Sequence, residues 1–533
     1  MTCDILRRRI SGSILKIVLF MVMLVSMTAM AAASEDPPAD AAEMGAAPAA
    51  EEAIEAPDPE ILSNTAEAIR YYKGQGVTPD YAKAAEYFRK AADLGGAGAQ
   101  YSLGYMYQFG QGVPQDSQRA LMWYEKAASQ DHVLAQYCYG DMLFHGVGVA
   151  QPDPENAADW YEKAAGRDDA LPLHHYSVGA LYDSGTGVYK DPEKAAEWYG
   201  KAAEKGYGNA QHALANMYCT GEGVPRDHEK AMELFRQAES QGFIQSRFSL
   251  AMMYYHGMGV EKDHTVAADW CRSLAEKDVY PPAVYALGVM HEKGEGVSRD
   301  FDKALVCYEQ CEKKGYPPAQ YRMAMMYLNG SNGKTGDTKK AITLCRKAAN
   351  GGYSVAQCTL GVIYEKGQEG LAINYRMALE WYGKAAENGN VPAQQRLAVM
   401  HDNGFGTPRN FDIAARWYEA AAMGGDRFSQ SRIAGMYFQG LGVDKDMEKA
   451  ARWYEAAARQ GDVAAQYNIA VMYFNGQGVR KDDVSAYAWM TLTATQGMEI
   501  AARQRDIIRN RLEGNDIQSA EAMFDQLYKD VLL

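Results

Sequence analysis

The chain has no surplus of positive charge. It carries 54 Lys and Arg against 68 Asp and Glu, a formal net charge of −14. A protein that neutralises phosphates needs the opposite balance, so the composition argues against nucleic acid and anionic membrane as partners. Histidine is scarce, with ten in 533 residues, and neither His-Glu-x-x-His nor Cys-x-x-Cys occurs. The spacings that hold zinc are therefore missing. Gly-x-Ser-x-Gly is absent too, which removes the nucleophile-elbow signature. The run from Asn329 to Thr335 ends Gly-Lys-Thr, but a phosphate-binding loop would need glycine where Leu328 stands. No cofactor, metal or catalytic residue is expected.

What is present is a repeat. The stretch Ala99–Leu134 carries apolar residues at helical spacing (Tyr101, Leu103, Met106, Tyr107), then Gly110-Gln-Gly112-Val113-Pro114. That glycine turn stops one helix, and Asp116 and Ser117 can cap the next. The second helix holds Ala120, Trp123, Tyr124, Ala127 and Ala128, again three to four apart. The first glycine of the turn recurs at 74, 110, 146, 185, 221, 257, 294, 330, 367, 404, 440 and 476. A helix–turn–helix period of this length predicts an all-α, right-handed superhelical solenoid of about 12 units, each burying its apolar face on its neighbours.

Two small positions should let helices pack closely. One is Gly or Ala in the first helix (Gly104, Gly140, Gly179, Ala215 and onward), and the other is Ala in the second (Ala84, Ala120, Ala157 and onward). The eight tryptophans all fall at one repeat position, which reads as packing rather than a sugar-binding row. Cysteines replace the Tyr124 equivalent at Cys271 and Cys345 and the Trp123 equivalent at Cys307, as small buried hydrophobes. Beyond Cys3 there are seven, an odd number at irregular places. That is not a disulfide framework, though one isolated bridge stays open.

Residues 1–33 read as a secretory signal, with Arg7-Arg8-Arg9, an apolar run from Ile17 and Ala31-Ala32-Ala33 before Ser34. An uncleaved anchor is the alternative. Residues 34–60 hold nine acids and no base and read as a disordered Ala/Pro/acidic linker. The repeats span 61–498, and 499–533 supplies two capping helices around a Gly514-Asn515 break. The turns at Gly330 and Gly367 lose the Gly-x-Gly-Val pattern. They mark Gly330–Tyr375 as a change of curvature, a recruited loop or plain drift.

The unit Ala-Gln-Tyr-x-Leu-Gly-x-Met-Tyr-x-x-Gly-x-Gly-Val…Asp-x-x-Lys-Ala-x-x-Trp-Tyr-x-Lys-Ala-Ala resembles the Sel1-like repeat, a relative of the tetratricopeptide repeat. The resemblance implies a superhelix that holds other proteins. In exported bacterial members this serves envelope signalling, surface-polysaccharide assembly or host contact. A cysteine-rich branch linked to β-lactam binding pairs cysteines in register, a pattern this chain lacks. The resemblance thus implies a non-catalytic periplasmic or secreted scaffold with protein or peptide partners. A cell-wall or exopolysaccharide-binding assembly factor is the alternative, and a β-lactamase-like hydrolase comes third.

One row varies while the rest repeats. It is the end of the first helix, two residues before the turn glycine and just before it, with the residue a turn earlier. Residues held by packing would repeat, so a varying row reads as one left free for partners on the concave face. The expected groove residues are Tyr105, Phe109, Phe144, Tyr255, His256, Glu292, Glu365, Phe438 and Phe474. A merely exposed row is the alternative.

Overall fold

The structure, a computed structural model, describes residues 58–277, 280–329, 337–367 and 371–532. The expected signal segment, the acidic linker up to residue 57, the altered turn opening at Gly330 and the middle of the Gly367 turn lie outside the described residues. Among the described residues there are twenty-six helices and no strand. They run from α1 (Pro59–Lys73) and α2 (Tyr81–Asp93) to α25 (Glu499–Arg509) and α26 (Asn515–Leu532). The chain divides between Gln241 and Gly242 into two compact units. Within each unit, antiparallel helix pairs stack on the pair before them.

The hairpin of α3 (Ala97–Phe109) and α4 (Ser117–Ala128) shows why the sequence folds this way. Gly110 ends α3 in the left-handed region at φ +68°, and its N–H returns to the Met106 carbonyl. Asp116 caps α4, its carboxylate accepting from the Arg119 N–H at 3.0 Å. The Asp116 N–H donates to the Tyr107 carbonyl at 2.9 Å and ties the two helices together. Gly112 has a different task. A Cβ there would lie 2.1 Å from the carbonyl oxygen of Tyr81, the first residue of the preceding repeat's α2. This glycine is where consecutive repeats touch backbone to backbone.

The small positions do what their chemistry suggests. A Cβ on Gly104 would lie 2.8 Å from the Tyr124 ring, and one on Gly361 would lie 2.5 Å from the Tyr382 ring. Ala84, Ala120, Ala157 and their equivalents through Ala486 are fully buried. None of the eight tryptophans is exposed, and Trp489 is fully buried. Four carry a lysine ammonium over the ring, as Lys201 does over Trp198 at 3.9 Å. Cys271, Cys307 and Cys345 are buried as expected, and all seven cysteines of the described residues are free.

The glutamine of the Ala-Gln-Tyr motif has a role that its repetition alone does not reveal. Gln100 is buried, and its Nε2 donates to the Ala92 carbonyl at the end of the preceding α2, at 3.1 Å. Gln136, Gln211, Gln357, Gln394, Gln430 and Gln466 make the same bond. Five of these glutamines also accept from an amide thirty or thirty-one residues on, as Gln466 does from Gln496 at 2.7 Å. A side-chain amide thus satisfies a carbonyl that every helix end leaves open.

At the C-terminal end, α25 and α26 pack on α24 (Asp483–Thr495), burying Ala501, Ile508, Ala520 and Leu527. At the other end α1 begins at Pro59, inside the stretch expected to be linker. Asp58 caps it by accepting from the Glu60 N–H at 2.9 Å. Proline at the first helical position after an aspartate is itself a start signal. No helix of the described residues is long and apolar enough to cross a membrane.

Candidate partner-binding face

The varying row lies at the C-terminal end of each first helix, opposite the second helix of its own hairpin. The tyrosine of the second helix, buried by the small residue facing it, must place its hydroxyl somewhere. In five repeats the row supplies the acceptor. Tyr124 donates to Gln108 at 2.7 Å, Tyr199 to Asp183 at 3.4 Å, Tyr308 to Glu292 at 2.9 Å, Tyr382 to Glu365 at 2.6 Å and Tyr418 to Asp402 at 3.1 Å. Where the second helix has no hydroxyl at that place, the row carries no carboxylate or amide. Cys219 is in register with Phe235, Leu328 with Cys345, Tyr255 with Cys271 and Phe474 with Met490. Tyr161 finds Asp141 one turn earlier, at 3.2 Å, and the row there holds Phe144. The Phe438–Tyr454 pair breaks the rule.

This changes the meaning of the variation. Much of the row varies because it tracks its packing partner, so variability by itself does not mark freedom. A buried hydroxyl needs an acceptor, and an acceptor without one would be left open.

Three of the carboxylates have a second partner. Arg322 grips Glu292 through Nε at 2.9 Å and Nη2 at 2.8 Å. Arg396 lies 3.6 Å from Glu365, and Arg432 binds the buried Asp402. Each arginine sits at one place in the first helix of the following repeat. These tyrosine–carboxylate–arginine groups join neighbouring hairpins, and bidentate guanidinium contact is the strong form of such a bond. Glu292 and Glu365 are therefore already engaged within the chain. The arginine position is not conspicuous within any single repeat. The signal was there, as arginine appears there only after a row carboxylate, thirty or thirty-one residues earlier.

The aromatic members divide by exposure. Phe109 is 52% exposed and packs on the half-buried Tyr105, with ring centroids 4.6 Å apart. Phe144 is half-buried beside His145 and Tyr161. Tyr255 lies 4.8 Å from both His256 and His264, donates to Glu295 and accepts from Lys293 Nζ at 3.2 Å. Burial pushes His256 down to about 4, so it stands neutral. Phe438 and Phe474 are half-buried against the core of the C-terminal unit, and the Arg511 guanidinium lies 4.6 Å from the Phe474 ring centroid. The candidate residues thus form short runs in consecutive repeats: Tyr105, Phe109 and Phe144; Tyr255, His256 and Glu292; Phe438 and Phe474. No group of three or more His, Cys, Asp or Glu among the described residues could hold a metal ion.

Twelve consecutive stretches from residue 63 to residue 498 match the family model described as Sel1 repeat. Among solved structures, a protective antigen of uropathogenic Escherichia coli strains displaying an SLR fold is 33% identical. The match covers 84% of this chain and 94% of that one, with a TM-score of 0.44. A Sel1 repeat protein from Oxalobacter formigenes is 32% identical over 42% of this chain and 89% of its own, with a TM-score of 0.36. An immunity protein from Pseudomonas aeruginosa is 21% identical over 47% and 81%, with a TM-score of 0.28. No curated protein matches.

Proposed function

Because the chain belongs to the Sel1 repeat family, we propose that it is a non-catalytic scaffold that binds protein or peptide partners along the face built by its first helices. Its place of work on this reading is outside the cytoplasm, in the periplasm or beyond, because residues 1–33 carry the pattern of an export signal. One observation carries the partner face. The tryptophan–tyrosine pair and the small residues of the second helix are consumed by packing, whereas the first-helix ends leave aromatic edges at the surface, Phe109 most openly. Aromatic anchors at helix ends are what a peptide or protein interface uses.

The test is capture of a partner by the exported protein carrying Phe109→Ala, Phe438→Leu and Phe474→Leu. The leucines keep most of the packing volume of the two half-buried rings. Affinity should fall by tenfold or more while the melting temperature moves only a few degrees. Unchanged capture would count against this face.

A further inference from the structure

The row contains four carboxylates that accept a tyrosine hydroxyl, and only three of them meet an arginine. Glu292, Glu365 and Asp402 are completed by Arg322, Arg396 and Arg432 of the next repeat. Asp183, at the end of α7 (Pro172–Ser184), takes the Tyr199 hydroxyl from α8 (Pro192–Glu204) in the same way. The next first helix, α9 (Gly208–Thr220), has Ala213 where the other three have arginine.

From this vacancy we propose that Asp183 is the chain's half of a docking site for an arginine side chain presented by a basic partner peptide. The proposal rests on the partner-face reading and names the partner's chemistry in the N-terminal unit. Three observations converge. The chain itself shows what this position binds when the partner is internal, a guanidinium held by a carboxylate whose other neighbour is a tyrosine hydroxyl. The Asp183 carboxyl is uncomfortable as it stands. Burial raises it above its ordinary value and the nearby Glu222 raises it further, while Lys190 and the Tyr199 hydroxyl pull against them. Lys190 is itself engaged, 2.8 Å from Glu222. A cation arriving from outside would relieve Asp183.

The third observation is the field around the site. Residues 58–241 hold 26 acidic and 16 basic side chains, a net of −10, whereas residues 242–533 hold 34 of each. The acidic surplus of the repeats thus sits in the unit with the vacant position. It would draw a basic peptide toward that unit before any specific bond forms.

The experiment uses the full exported chain and a fluorescein-labelled peptide of alternating arginine and glycine, read by anisotropy. The same peptide with citrulline for arginine keeps the shape and removes the charge. Wild type should bind the arginine peptide at least tenfold more tightly than the citrulline peptide. Ala213→Arg supplies the missing guanidinium from within and should weaken arginine-peptide binding at least tenfold. Asn468→Arg, the same charge at the same helix position but after Phe438, should leave it unchanged. Asp183→Asn should weaken it as Ala213→Arg does, and serves if Ala213→Arg fails to fold. The proposal is overturned if wild type does not prefer the arginine peptide, or if Ala213→Arg and Asn468→Arg have equal effects. If the Phe109, Phe438 and Phe474 variant loses its partner while Ala213→Arg keeps the peptide, this proposal falls and the scaffold reading stands. If that variant keeps its partner, the scaffold face itself is wrong.

Discussion

The pairing of Gln108 with Tyr124 can be taken apart one atom at a time. Tyr124 is fully buried, and its hydroxyl donates to Gln108 Oε1 at 2.7 Å across the hairpin. Gln108→Leu keeps the bulk but leaves the buried hydroxyl only the Cys138 thiol, a weak acceptor, which costs about 1–2 kcal/mol. Tyr124→Phe removes the hydroxyl and the bond together and should cost about 1 kcal/mol. The double variant joins two apolar groups, as the chain itself does at Leu328 and Cys345. It should be nearly as stable as Tyr124→Phe alone, giving a coupling energy of about 1–2 kcal/mol. A long repeat array does not unfold in one step, so a single unfolding free energy is the wrong quantity. Native-state hydrogen exchange on the amides of α3 and α4 reads the local cost directly. If Gln108→Leu lowers protection equally with and without the tyrosine hydroxyl, the two positions are not matched. The explanation of the varying row then fails.

Gly112→Ala should destabilise by about 3 kcal/mol or more, since the added Cβ meets the Tyr81 carbonyl at 2.1 Å on top of a φ of +70°. Gly76→Ala shares that φ with open space around it and should cost only about 1–2 kcal/mol by the left-handed penalty; equal melting shifts would refute the backbone contact. His174 is fully buried, accepts the Leu171 N–H on Nδ1 at 3.2 Å and is pushed down to about 4 by burial. Its folded value lies below the unfolded one. Its contribution is therefore complete above about pH 6.5 and declines as pH falls toward 4, by about 3 kcal/mol in all. Melting curves from pH 7.5 to 4.5 should be flatter for His174→Gln than for wild type, and parallel curves would contradict the assignment. Burial pushes the thiols of Cys138, Cys219, Cys271, Cys311 and Cys345 up to about 12, and that of the half-buried Cys358 up to about 11. Ellman's reagent should therefore label these six thiols of the folded repeats slowly, Cys358 first among them.

The period was legible because every hairpin must offer the same faces to its neighbours. Turn glycines, capping aspartates and paired alanines are therefore forced to recur. Cysteine at 271, 307 and 345 could be read as buried for the same reason, since each replaces a core aromatic in register. The glutamine of Ala-Gln-Tyr recurs in eight of the eleven repeats from Ala99 onward, yet its role is hidden because its bond reaches back eight residues into the preceding repeat. Helical spacing says nothing about that. Variation along the row does not by itself show which of its residues packing holds. Glu365 and Gln108 differ from Phe144, but each answers the residue across the hairpin, and a single repeat read alone does not show the match. The start of α1 was missed because Ala/Pro/acidic composition outweighed the local Asp58-Pro59 signal.

Everything functional depends on which side of the hairpins meets a partner. A photo-reactive amino acid placed at Phe109 and His145 on the first-helix ends, and at Arg416 and Arg452 on exposed second-helix surfaces, reads that side in the full-length protein in its native cell. Partner adducts are expected from positions 109 and 145 and none from 416 and 452. Adducts from the second-helix positions alone would contradict a partner face on the first helices.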